Sequence, residues 1–344
     1  MTKILIIKLS AIGDVVQTLP ALEAIKRAIP RSEIDWVVEE AAAGILENHP
    51  LISRLLLSRR KSWIRKLVRP ATFLEGCRDI STFLSELRSV RYDIAVDFQG
   101  LLKSGILIGL SRSGRKIGFA GTRELSWLFL NERLPAYDPE KHAVERYLDV
   151  ARHLGAIDPQ PVCTLPIDRE RRAMQERLAG AVKAGTRVVV INPMARWRTK
   201  LWQEEKFAVL ADRLIAERNA TVIFTGGAAD REVIARIRGL MHGEALDWSD
   251  DTTLKELAAL AERADRFITT DTGPMHLAAA AGGRVVALFG PTAPWRTGPC
   301  GAGHAVVRTH IGCSPCFSRS CSIGVRCMTD ITVDDVLEAV SFQG

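Results

Sequence analysis

Short apolar runs of strand length alternate with segments of helical periodicity along this chain, and the alternation occurs twice, on either side of a proline-containing stretch at residues 155–166. A strand inside a parallel sheet reads as an unbroken apolar run, because helices cover both sheet faces and leave neither face to water. Strand candidates fall at residues 3–8, 34–38 and 93–98 before the break, and at 187–191, 220–225, 266–270 and 285–289 after it. Helical segments fall between them at 15–29, 41–47, 82–88, 101–110 and 142–154, then at 168–183, 204–218, 231–240, 254–263 and 275–281. The pattern predicts α/β architecture with mostly parallel sheets. At 344 residues the chain is longer than one hydrophobic core usually supports. We therefore expect two Rossmann-like βα domains, 1–165 and 166–330, facing each other across a cleft, and a closing helix within 331–344 that packs back on the first.

Ligands of such sheets bind beyond the carboxyl ends of the strands, where helix amino termini present free N–H groups. In the second domain one such turn is Asp271-Thr272-Gly273-Pro274-Met275-His276, with a proline suited to a first helical turn. It reads either as an anion site for a diphosphate or as a plain helix cap by Asp271 or Thr272. A second turn, at residues 225–232, reads either as a plain turn or as a ligand loop, with Gly226 and Gly227 for close backbone approach and a carboxylate suited to a ribose or base. The third, at residues 192–202, carries Arg196, Arg198 and Lys200, cations placed to neutralise a leaving diphosphate, with a solvated basic loop as the plain alternative. Gly290-Pro291-Thr292 adds a fourth loop at the same edge.

The first domain offers only Gly13 after its first strand, without the G-x-G-x-x-G spacing of a dinucleotide fingerprint. That counts against a nicotinamide enzyme. Asp14 stands at the entrance of the first helix, as a cap or as a general base that removes a proton from an acceptor hydroxyl. The net charge of +7 is concentrated in part at residues 54–69, which carry seven arginines and lysines, no acid, and Trp63 among leucines and isoleucines. This basic amphipathic stretch suits a solvated face, a phosphate-rich acceptor or an anionic lipid surface. No nucleic-acid-binding signature accompanies the charge.

The amino-terminal apolar run is four residues long and is followed by Lys8, too short for a signal-peptide core, and no stretch approaches a membrane span. A cytoplasmic chain is expected. Cys313, Cys316, Cys321 and Cys327 cluster with the spacing C-x2-C-x4-C-x5-C. In such a setting the cluster reads as reduced structural thiols, a metal site or redox chemistry before a disulfide framework.

Several segments, taken in order, resemble the bacterial ADP-heptose:lipopolysaccharide heptosyltransferases, glycosyltransferase family nine, over nearly the whole chain. They are residues 8–15 (KLSAIGDV), 18–22 (TLPAL), 36–40 (WVVEE), 97–104 (DFQGLLKS), 142–146 (HAVER), 200–202 (KLW) and 271–276 (DTGPMH). The resemblance implies a GT-B fold, with the acceptor held by the first domain and ADP-heptose by the second. It implies inverting transfer with no metal and no cofactor. Asp14 matches the family's catalytic base and Lys200 a contact to the donor phosphates. Asp271, Thr272, Gly273 and His276 match the donor loop, and Glu232 a ribose contact. Arg59, Arg60, Lys61, Arg123 and Arg146 would face the anionic acceptor, Kdo-lipid A or its heptosylated form, at the cytoplasmic face of an anionic inner membrane. Residues 36–40, 97–104 and 142–146 most resemble heptosyltransferase I, which acts directly on Kdo, whereas the cysteine-containing tail resembles heptosyltransferase II. A GT-B transferase with another nucleotide sugar would share the architecture and much of the donor loop. A nucleotide-sugar-binding protein without turnover would have no need of Asp14.

Overall fold

A computed structural model describes residues 1–341, apart from the side chain of Arg123, so the Arg123 expectation lies outside the described residues. The chain divides into two compact units, Met1–Pro166 and the remainder from Ile167 onward. The first is built on a parallel sheet of β1 (Thr2–Ile7), β2 (Ser32–Glu39), β3 (Arg54–Ser58), β4 (Arg91–Asp97), β5 (Arg112–Phe119) and β6 (Glu132–Leu134), in the order β3-β2-β1-β4-β5-β6. The second has β7 (Arg187–Asn192), β8 (Ala220–Phe224), β9 (Leu246–Asp247), β10 (Arg266–Thr270), β11 (Val285–Leu288) and β12 (Ala305–Val307), in the order β12-β11-β10-β7-β8-β9. Counted from each unit's own first strand, the two orders are the same. Strand order reverses between β1 and β4 and between β7 and β10, so each unit has a crevice at the carboxyl end of that pair.

Burial explains why these runs occupy the sheet centres. Ile4, Leu5, Ile6 and Ile7 of β1 are fully buried, as are Val189, Val190 and Ile191 of β7. Each such side chain contributes about 1.5–3 kcal/mol through removal from water. The strands that periodicity missed are those with polar or short segments. Strand β5 begins Arg112-Ser113-Gly114-Arg115 and buries only its last residues, and β12 spans three residues.

Residues 54–69, read from sequence as one amphipathic stretch, divide into β3 and a helix, Arg60–Leu67. Pairing decides this, because Leu55 and Leu56 lie opposite Trp36 and Val37 of β2 and complete the sheet edge. The closing helix, Val333–Ala339, was expected on the first domain. Its Val336 and Leu337 instead enter the core of the second unit, with Val222, Phe224 and Met328.

The cysteines are free thiols, with Cys313, Cys316 and Cys321 exposed and Cys327 buried. Burial, then the proximity of the other three, pushes the Cys327 thiol up.

Candidate active site

In the first unit, side chains from four sequence-distant segments meet at the β1/β4 crevice. Gln99 supplies one carbonyl oxygen, Oε1, that accepts from the backbone N–H groups of Leu9 and Ser10, each at 3.0 Å. Asp97 in turn holds the Gln99 turn, accepting from the N–H of Gln99 at 2.9 Å and of Gly100 at 3.0 Å, while its other oxygen accepts from the Ser104 hydroxyl at 3.0 Å. Gly100 sits at φ +66°, the left-handed region that favours glycine at this bend. Burial pushes the Asp97 carboxyl up, against the hydrogen bonds from Gly100, Ser104 and Gln99. Lys103 bridges the Ser10 hydroxyl at 3.0 Å and Glu39 of β2 at 2.9 Å. The loop after β1 is therefore fixed from β2 and β4 together.

This frame borders a cavity of about 220 Å³ whose lining includes Lys8, Asp14, Tyr137, Arg146 and Tyr147. Lys8 is buried, and its ammonium donates to the Tyr147 hydroxyl at 2.8 Å and to the Phe98 carbonyl at 3.0 Å. Burial opposes its charge, but the field of Tyr147 and of the Asp14 and Asp97 carboxylates outweighs burial and holds its pKa above the ordinary lysine value. Asp14 lies in the first turn of the helix Ile12–Ala28. One carboxylate oxygen, Oδ2, accepts from the Ala11 N–H at 3.0 Å, so the capping reading is partly right. Among the described residues no donor is bonded to the other oxygen. Asp14 thus has an acceptor available at the cavity, with a buried cation nearby. Arg146 stacks its guanidinium over the Tyr137 ring, 4.7 Å from the centroid.

The structure places the expected acceptor cations in two groups. Arg146 lines the cavity. Arg59 and Arg60 sit past the carboxyl end of β3 and pair with Glu40 at 3.1 Å and Glu39 at 3.4 Å, while Lys61 is exposed. They reach the loop after β1 only indirectly, since Glu39 also holds Lys103.

Replacing Gln99 by Ala would leave the Leu9 and Ser10 N–H groups without their acceptor. We expect a loss of about 1–3 kcal/mol in stability. The urea midpoint reads it, and an unchanged midpoint would show that the clamp is dispensable.

In the second unit the loops after β7 and β10 meet in the same relation. The Lys200 ammonium contacts the Asp271 carboxylate at 2.6 Å and its carbonyl at 3.3 Å, and the Thr292 hydroxyl donates to the same carboxylate oxygen at 2.6 Å. Asp271 is buried, and the Lys200 side chain is 14% exposed. Lys200 also lies over the Trp197 ring, 4.6 Å from its centroid, and Arg319 lies 4.9 Å from that centroid. The helix that follows, Gly273–Ala280, has Thr272 at its N-cap position without a side-chain cap hydrogen bond. Since Asp271 is engaged by Lys200 and Thr292, the plain-cap reading of this turn does not hold. The Lys200 ammonium therefore stands beside the start of this helix, held there by Asp271. His276 is buried within that helix. Glu232 is exposed in the first turn of the helix Arg231–Gly239 after β8, and its contacts do not join the Lys200–Asp271 pair. Arg196 and Arg198 are exposed.

The model of glycosyltransferase family 9 (heptosyltransferase) matches residues 80–325. The lipopolysaccharide heptosyltransferase 1 of Pseudomonas aeruginosa is 32% identical over 327 residues, covering 93% of this chain and 87% of that protein.

The chain belongs to glycosyltransferase family 9.

The lipopolysaccharide heptosyltransferase 1 of Escherichia coli K12 is 31% identical over 314 residues, 89% of this chain and 93% of that protein. Among solved structures, E. coli heptosyltransferase WaaC with ADP aligns over 98% of both chains at a TM-score of 0.76 and 26% identity. The family 9 glycosyltransferase of Veillonella parvula aligns over 98% of this chain and 95% of its own at a TM-score of 0.78 and 24% identity. The protein is thus a glycosyltransferase of GT-B fold. The first crevice holds the open carboxylate oxygen of Asp14, and the second holds the Lys200–Asp271 pair beside a helix start.

Lys8, Gln99 and Tyr147 carry parts of these crevices that sequence reasoning did not single out, whereas Thr292 lies in the fourth loop, Gly290-Pro291-Thr292. The signal for the first three was available, since they fall within or next to segments 8–15, 97–104 and 142–146. What was lacking was their partners.

Proposed function

We propose that this glycosyltransferase transfers L-glycero-D-manno-heptose from ADP-heptose to the Kdo of the lipopolysaccharide inner core, with inversion at the anomeric carbon. An acceptor hydroxyl attacks that carbon, the new C–O bond forms as the bond to the diphosphate breaks, and ADP leaves with the electron pair. Asp14 takes the hydroxyl proton as general base. Lys200 and the Gly273 N–H at the start of the helix Gly273–Ala280 stabilise the charge that gathers on the departing diphosphate. Thr272, Gly273 and His276 shape that donor loop, Asp271 orients Lys200, and Glu232 contacts the ribose. Arg146, with Arg59, Arg60 and Lys61, meets the acidic acceptor. The observation that carries the reading is the open carboxylate oxygen of Asp14 at the cavity that Lys8 and Arg146 line.

The two heptosyltransferase 1 relatives at 31% and 32% identity favour Kdo itself over an already heptosylated core. No described helix is long and apolar enough to cross a membrane. We place the enzyme in the cytoplasm, peripheral on the membrane that carries its acceptor.

ADP release in the presence of ADP-heptose tests the assignment. Release should occur with Kdo2-lipid A, should be absent with the mono-heptosylated acceptor, and should persist in EDTA because Lys200 and the Gly273 N–H provide the positive charge. Turnover on neither acceptor would refute the function, turnover on the heptosylated one alone would move the chain to the second transfer, and a lost activity restored by a divalent ion would overturn the metal-independent step.

A further inference from the structure

The outer side of the corner after β3, residues 64–74, takes no part in either crevice. Its first helix, Arg60–Leu67, is fastened inward by Trp63, whose ring lies 5.0 Å from that of Phe83, and by Lys66, which holds Asp79 at 2.8 Å and Glu75 at 3.5 Å. A short helical turn, Pro70–Thr72, leads into the helix Phe73–Arg88, and the Thr72 hydroxyl donates to the Lys66 carbonyl at 3.0 Å. The corner is therefore held in shape. Yet its outer side is apolar. Val68 and Leu74 are 72% and 79% exposed, and Ile64 and Phe73 are 48% and 47% exposed. Single exposed apolar residues are ordinary, but four within residues 64–74 form a patch, and patches of this kind mark contact surfaces.

In the same segment Lys61, Arg65 and Arg69 are exposed and have no ion pair among the described residues. Residues 59–74 contain no acid, and the nearby Glu75 and Asp79 are engaged by Lys66. An apolar tip with unpaired cations in the same segment is complementary to an anionic bilayer surface, where the tip enters the acyl boundary and the cations meet lipid phosphates. A second copy of this chain would bring the same positive charge and be repelled.

We infer that this corner, with Ile64, Val68, Phe73 and Leu74 as its apolar tip and Arg65 and Arg69 as its cations, docks the protein on an anionic lipid surface. The inference rests on the reading that the acceptor is membrane-borne, and it assigns the surface that meets the membrane. The opposite end of the first helix fits that role. Arg59 and Arg60 there pair with Glu40 and Glu39, and Glu39 also binds Lys103, which holds the loop before Asp14. Eight residues at about 1.5 Å each give this helix a length of roughly 12 Å.

Sedimentation of the full chain with vesicles of phosphatidylcholine containing one-third phosphatidylglycerol tests the inference. The chain should partition onto these vesicles and not onto phosphatidylcholine alone. R65E together with R69E should reduce the partition coefficient by roughly 30-fold or more, as expected for at least two charges at an anionic surface, and V68S together with L74S by about tenfold. Both double variants should keep native transfer to a short, delipidated acceptor and lose transfer to the same sugar in vesicles. Partition of the variants equal to native, failure of the native chain to partition, or a dimer that V68S with L74S disperses would each overturn the inference. Native failure on the delipidated acceptor would count against the transfer reaction and leave the sedimentation result to decide the docking surface.

Discussion

Asp14→Asn is expected to lower turnover by about 10²–10⁴-fold, the range a positioned general base contributes, while ADP binding stays close to native. The substitution is nearly isosteric. Its amide oxygen can still accept from the Ala11 N–H, which Asp14 Oδ2 now accepts at 3.0 Å, so the helix start is preserved. What is lost is the ability to take a proton. A stability effect would therefore be small, and a kinetic effect would report the base. Single-turnover transfer and ADP titration, run on the same preparation, separate the two. Turnover within a few-fold of native would remove Asp14 from the mechanism and return it to its capping role.

Lys200→Met has a larger structural consequence, because it strands a buried carboxylate. Asp271 would keep only the Thr292 hydroxyl as a side-chain donor, and removing one partner of such a pair costs about 3–5 kcal/mol. We also expect ADP affinity to fall by roughly 10–100-fold, the value of a hydrogen bond to a charged group. The second change Asp271→Asn distinguishes the two effects. It removes the stranded charge, so the urea midpoint should move back toward native, but it cannot restore the missing ammonium. If ADP affinity returns along with stability, Lys200 acts only by holding the loop.

Much of this arrangement was visible in the residues. Residues 188–191 of β7 and 285–288 of β11 are continuous apolar runs because both faces of their sheet are covered, and composition cannot hide such a signal. Asp14, Lys200 and Asp271 stood out because each follows a strand end, where α/β sheets place ligands. Strand β5 escaped notice because its first residues are exposed and polar, and β3 because its leucines lie within a run of arginines and lysines. The closing helix was assigned to the wrong domain for a related reason. Val336 and Leu337 show that some core must receive them, but nothing in their spacing says which.

What the sequence by itself determined, then, is the class of fold, the strand ends where chemistry can occur, and family membership through ordered short motifs. Those follow from local physics, namely periodicity, turn chemistry and the residue types a reaction requires. The tertiary structure alone decided the partners. Only folding brings Gln99 to Leu9 and Ser10, Tyr147 to Lys8, and Thr292 to Asp271, pairs separated by as many as 139 positions. Whether a carboxylate beside a helix start caps the helix or pairs with a distant lysine depends on that long-range contact. At Asp271 the lysine wins, because a buried charge is tolerated only where a counter-charge is supplied.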